Sequence, residues 1–222
     1  LMNKQYISII TIIIMFLTGC GSSDERQTQM AEIDDIDTIY IEHGSDNLLL
    51  KSADQPNVEA SYGERGVTLD KSDGSITLGI KNRMIKIGPK LNLDDAFQVT
   101  IPNDYKGDIV ISGDSGEVSS DELTISGNLD VKTKSGDISV AFAEIQSDIQ
   151  VVAASGKVEL ILNEEQPDVQ LKSKTKSGSN TIIIPISLNE SEGGKEIEGI
   201  SGEGTYVIDI ETTSGDVTVK SD

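Results

Sequence analysis

Four polar residues recur at a fixed interval of 20: Asp108, Asn128, Asp148 and Asp168. On neighbouring strands such residues stack about 5 Å apart, and carboxylates at that distance repel by roughly 1 kcal/mol or more per pair unless water or a cation relieves them. Ca2+ prefers oxygen ligands, so Asp108, Asp148 and Asp168 are candidate ligands for it. The competing reading is that Asp and Asn open turns and stand solvated at corners. The nested Gly-Gly-x-Gly-x-Asp pattern of calcium β-rolls is absent, and no metal site is assigned. A second set is basic. Lys132, Lys134, Lys172 and Lys174 flank Val152 and Ala154 at the same repeat and could hold an anionic polymer such as teichoic acid or a glycan. The same lysines would also keep a sheet face soluble and discourage stray strand pairing. Lys81, Arg83, Lys86 and Lys90 form a further basic group, and Glu117, Asp137 and Lys157 read as charge compensation between repeats.

Catalytic groups are scarce. His43 is the single histidine and stands beside Gly44 in a turn, so a surface position is expected. One His and one Cys rule out His-rich metal sites, a Cys-based zinc site and an intramolecular disulfide framework. The recurring Ser-Gly-Asp turns place no base beside the hydroxyl, and Gly202-Glu203-Gly204 lacks the strand–turn–helix setting of a nucleotide loop. No catalytic residue and no cofactor are assigned.

The elements that must position these residues follow from the repeat. One phrase starts at Gly107, Gly127, Ser147 and Pro167, and a second, Ser-Gly-x-apolar, starts at Ser115, Ser135 and Ser155. Such a period indicates a stacked solenoid whose repeats bury their apolar faces on one another. Aligned at steps of 20, the inward columns are Ile109, Leu129, Ile149 and Val169, then Ile111, Val131, Val151 and Leu171. Small residues follow at Gly113, Thr133, Ala153 and Ser173, where two faces pinch together. With only 4% aromatic residues and no Trp, the core must be thin layers of Ile, Val and Leu. The expected fold is all-β: a parallel β-helix or β-solenoid with rungs of about 20 residues.

Short strands over 38–42, 48–51, 58–62, 67–70, 75–80 and 96–102 precede the repeat and are expected to cap it. Beyond residue 171 the repeat loosens. Ser177-Gly178 lies 22 residues after Ser155-Gly156, residues 185–204 form a Gly/Glu/Ser-rich insertion, and 206–219 restore a last rung.

The first residues carry an address. Lys4 precedes an apolar run from Tyr6 to Phe16, which at about 16 Å as a helix is short for a ~30 Å hydrocarbon core. Leu17-Thr18-Gly19-Cys20 then resembles the lipobox of bacterial lipoproteins. That resemblance implies a signal peptide over 1–19, cleavage before Cys20, and diacylglyceryl and fatty acyl (palmitate-type) chains on Cys20, which together anchor stably. Residues 20–32 read as the lipidated Cys and a flexible tether, and 33–222 as one solenoid domain: 33–104 the N-terminal β part, 105–184 the regular rungs, 185–222 the insertion and last rung. Without residues 1–19 the charge goes from −20 to −21, because Lys4 is the only charged residue lost. So acidic a surface repels nucleic acid.

The sequence Val99-Thr100-Ile101-Pro102, the run Gly107 to Ser112, the Ser-Gly-x turns and the closing Ser214-Gly215-Asp216-Val217 together resemble the bacterial putative-adhesin domain of unknown function, which includes LiaG-like cell-envelope proteins. The resemblance spans about residues 34–222. It implies a right-handed β-helix-like fold, an extracytoplasmic place on the cell membrane and a link to envelope-stress systems. It carries no catalytic residues. The expectation is therefore a lipid-anchored, non-enzymatic binding module whose partner is an envelope protein or polysaccharide. A carbohydrate-active β-helix enzyme and a passive structural spacer stand as alternatives.

Overall fold

The computed structural model describes residues 26–63, 65–81, 96–190 and 193–221. Residues 1–19, Cys20, Arg83, Lys86 and Lys90 lie outside the described residues. Within them the chain forms nineteen strands and no helix, arranged as a nine-stranded and a ten-stranded sheet. The alternation read from the sequence accounts for how they pack. In Leu129–Ser135 (β10), Leu129, Val131 and Thr133 are buried and the residues between them point out. Side chains of the same parity from both sheets meet in one core of Ile, Val and Leu.

The regular part is parallel throughout. In the ten-stranded sheet, Asp108–Gly113 (β8), β10 and Ile149–Ser155 (β12) lie side by side, with Leu129 between Ile109 and Ile149. In the nine-stranded sheet, Val118–Leu123 (β9), Ile138–Phe142 (β11) and Val158–Leu162 (β13) do the same, with Ile138 between Val118 and Val158. Each rung is thus one strand in each sheet, joined by a tight Ser-Gly corner.

Part of the N-terminal region is rung rather than cap. Thr38–Gly44 (β2) and Leu48–Ala53 (β3) stack on β8 and β9 in parallel, Ile39 beside Ile109 and Leu48 beside Val118. Ser75–Ile80 (β6) and Phe97–Pro102 (β7) then stack on β2 and β3. The caps proper are antiparallel: Gln27–Glu32 (β1) on Asn57–Tyr62 (β4), β4 on β7, and Val67–Ser72 (β5) on β6. The expected tether through residue 32 is corrected accordingly, since residues 27–32 form a strand. Its inner residues Gln29 and Ala31 face no repeat partner in sequence, so periodicity gave no sign of it; its pairing with β4 is wholly tertiary.

At the other end the chain order is broken. Val169–Ser177 (β14) and Asn180–Ile183 (β15) do not follow β12 and β13 directly. The last segments, Tyr206–Ser214 (β18) and Val217–Ser221 (β19), lie between them: β18 pairs with both β12 and β14, and β19 with both β13 and β15. Ile208 joins Ile149 on one side and Leu171 on the other, so Leu171, not Val169, continues the Ile149 column. The insertion is a hairpin, Ser187–Glu190 (β16) and Glu196–Ser201 (β17), added antiparallel to β14 as the cap.

The corners explain this order. A Cβ on Gly136 would lie 2.1 Å from the carbonyl oxygen of Gly116, and one on Gly156 2.1 Å from that of Gly136. The contact continues through Gly215, 1.9 Å from the Gly156 oxygen, to Gly178, 2.1 Å from the Gly215 oxygen. No side chain fits at these points. A strict step of 20 would set Lys176 against Gly156, whereas the observed register sets glycine on glycine throughout. Gly136 also has φ of 133°, which L-residues avoid. Gly136→Ala is therefore expected to cost about 2–5 kcal/mol, the backbone penalty plus overpacking. Gly193, at φ of 83° with nothing near a Cβ, should lose only about 1–2 kcal/mol as Gly193→Ala. Urea unfolding midpoints of the two variants compare them directly; equal losses would count against the corner contact.

Candidate functional site

The outer face of the ten-stranded sheet carries the charged positions singled out in the sequence, and its strand order decides how they meet. Reading across the strands, one row is Ser112, Lys132, Val152, Glu211, Lys174 and Glu196. The adjacent row is Val110, Asp130, Gln150, Asp209, Lys172 and Glu198. Because β18 is interposed, Asp209 and Glu211 separate the two lysine pairs, which the sequence had set astride Val152 and Ala154 alone. Lys132 pairs with Asp130 at 2.7 Å and Lys134 with Asp114 at 2.5 Å, while Lys172 and Lys174 face Glu198 and Glu196 at 3.8 and 3.7 Å. Exposed pairs of this kind contribute little to stability, so these lysines remain open to exchange partners.

Toward the corner the face sinks into an open trough of about 740 Å³. Lys132, Lys134, Lys174 and Lys176 stand around a floor that includes Val152 and Ala154. Lys172 lies outside it. Lys176 is the residue that sequence reasoning missed; the alternation Lys172, Lys174, Lys176 was its signal.

The polar column resolves differently from a calcium site. Asn128 donates from Nδ2 to Asp108 Oδ1 at 3.1 Å and accepts the Asp148 N–H on its own Oδ1 at 3.4 Å. An amide between two carboxylates relieves their repulsion without a cation. Asp148 Oδ1 then accepts the Val207 N–H at 2.8 Å. Asp168 stands beyond the interposed rung and clamps a loop: it accepts the Glu203, Gly204 and Thr205 N–H groups and the Thr205 hydroxyl. The hydroxyl first, and then those N–H donors, hold its carboxyl below the usual carboxylate range. Asp108, Asp148 and Asp168 are not brought together, and among the described residues no three His, Cys, Asp or Glu side chains form a metal-holding group.

A smaller groove of about 400 Å³ runs beside this column and is lined by Asp108, Asp130, Asp148 and Asp209. Burial, followed by the Glu211 charge, raises the Asp209 carboxyl, with Lys172 opposing. The two grooves divide one sheet face into an acidic side at the strand starts and a basic side at the strand ends.

His43 is not at the surface. It is 1% exposed, and its ring fills the space over Gly113, where a Cβ would come within 1.9 Å of Nε2. Nδ1 donates to the Asp46 carbonyl at 2.7 Å. A turn residue read as solvated is in fact core, because it continues the inward alternation of Ile39 and Ile41 along β2 and meets Gly113, where no side chain competes for the space. Burial pushes its pKa down against the opposing pull of Asp46 and Asp114. Above the unfolded value of about 6.5 the ring is neutral in both states and contributes no pH dependence. As pH falls below it, the unfolded chain takes the proton first and stability drops until the folded ring titrates. As the single histidine, His43 should give one imidazole signal by NMR, Nδ1-protonated at neutral pH and titrating below about 6.5. Titration at or above that value would contradict the buried placement.

Residues 123–220, just under half of the chain, match the Toastrack DUF4097 family. The solved structure of a "putative cell adhesion protein" from Clostridium sporogenes is 16% identical and superposes with a TM-score of 0.63, covering 89% of this chain and 99% of that one. It shows the shared fold. "Putative adhesin" structures from Bacteroides fragilis (13% identity, TM-score 0.31, covering 92% and 100%) and Parabacteroides merdae (13% identity, TM-score 0.34, covering 88% and 81%) are more distant. A comparison with curated proteins gives no match.

Proposed function

We propose that this chain, with its Toastrack DUF4097 domain, is an adhesin-like, non-enzymatic binding module working outside the cytoplasm and tethered to the cell membrane by a lipid on Cys20. The observation that carries the reading is the open trough on the ten-stranded sheet, a broad face with lysines at its rim rather than an enclosed pocket. Support against an enzyme comes from the contents of the face. Asp108, Asp148 and Asp168 are taken up by a hydrogen-bonded column and a loop clamp, and the one histidine is core. The anchor rests on the lipobox-like residues Leu17 to Cys20, and a role in envelope stress and a right-handed winding rest on family resemblance. The partner is an envelope component, protein or polysaccharide.

Detergent phase partitioning tests the anchor: the native chain should enter the detergent phase and Cys20→Ser the aqueous phase, and a variant still in detergent would end the lipid assignment. The aqueous variant should then pellet saturably with isolated cell envelopes. Failure to pellet would end the binding-module reading.

A further inference from the structure

We propose that the lane from Lys134 to Lys176 binds an acidic polysaccharide laid along the stack, across the strands; this rests on the binding-module reading and names its ligand. The corner serines Ser135, Ser155, Ser214 and Ser177 pair in that order on β10, β12, β18 and β14. One residue before each corner stand Lys134, Ala154, Thr213 and Lys176, all lining the trough. The lysines are therefore three strand spacings apart, roughly 14 Å. Only a methyl group and a small hydroxyl lie between them, so a chain can sit low on the sheet and reach both ammonium groups. Glu211 interrupts the parallel row from Lys132 to Lys174, and Asp209 stands in the row beyond. This lane is the row in which no acid stands between the lysines.

The lane's charges are available. Lys176 has no ion-pair partner among the described residues, and the Lys134–Asp114 pair is 79% and 61% exposed, so a ligand carboxylate can replace Asp114. The chemistry selects the class of ligand. Two cations about 14 Å apart, on a chain of net charge −20, suit sparse acidic groups and not the dense charge of a nucleic acid. Among the described residues the trough has no aromatic side chain on which a base could stack. Glu42, Glu211 and Thr213 line the same trough and accept hydrogen bonds from hydroxyl groups. A chain rich in hydroxyls and carrying spaced acids satisfies both sets.

The test is binding of the full chain in detergent to hyaluronate, a linear polysaccharide with one carboxylate per disaccharide, by titration calorimetry, with dextran and a single-stranded DNA oligonucleotide as comparisons. Hyaluronate should bind, weaken as salt is raised, and lose about tenfold or more in affinity in Lys134→Gln/Lys176→Gln, since charge-assisted contacts carry it. The control Lys157→Gln/Lys220→Gln removes two lysines that meet Glu159 on the other sheet, and should stay within about twofold of the native chain. Thermal melts establish that both variants fold; the four lysines are exposed or half-exposed. An unchanged lane variant, absent hyaluronate binding, or equal affinity for the DNA overturns the proposal. If any of these occurs while native chain still pellets with envelopes, the module reading stands and the ligand assignment alone fails.

Discussion

Backbone meets backbone at the corners from Gly116 to Gly178, and the spacing there leaves room for hydrogen alone. Gly116 faces the carbonyl oxygen of Asp46, and each of Gly136, Gly156, Gly215 and Gly178 in turn faces that of the preceding corner glycine. A parallel sheet needs its strands about 4.8 Å apart, and a Cβ at this point would wedge them open. The contact therefore fixes register as well as spacing. Once the glycines are aligned, the strands flanking those corners are placed in both sheets, and with parity preserved their core residues still point inward. The shift of two residues between β12 and β14 exchanges the members of the columns but leaves their faces unchanged.

That preservation of parity explains how much of the fold was legible. Alternation alone identified the inner residues, the Ser-Gly corners and almost every N-terminal strand, because burial depends on odd or even position. It could not identify neighbours. Ile149 was assigned Val169 because the phrase starting at Pro167 repeats the one at Ser147, a match in strand-start chemistry. The decisive mark lay at the strand end, where Gly178 is 22 residues from Gly156. β1 and the interposed β18 were illegible for another reason: their places depend on pairing with segments far away in sequence, which no local period records.

The same geometry limited what could be read of the site. Lys132, Lys134 and Lys174 line the trough, Lys172 does not, and Lys176 joins because the two-residue shift carries it to the rim. The Asp column was legible as a column. Its use was not, since the proton donors that satisfy it, the Val207 N–H and the 203–205 loop, arrive from the far end of the chain. His43 was misplaced because a buried ring needs a hole, and the hole is the missing side chain of Gly113, 70 residues away. The surface charge pattern thus emerges from core constraints: corner contacts set rung order, and rung order decides which charges share a row.

Cross-linking across the disputed neighbours tests that ordering most directly. In a Cys20→Ser background, Ala154→Cys with Thr213→Cys places two thiols on adjacent strands, within the usual Cα separation of a disulfide. Ala154→Cys with Lys174→Cys places them where strict sequence order would have made neighbours. Mild oxidation should close a disulfide in the first pair and leave the second open. A disulfide in the second pair, with none in the first, would contradict the ordering of the whole stack.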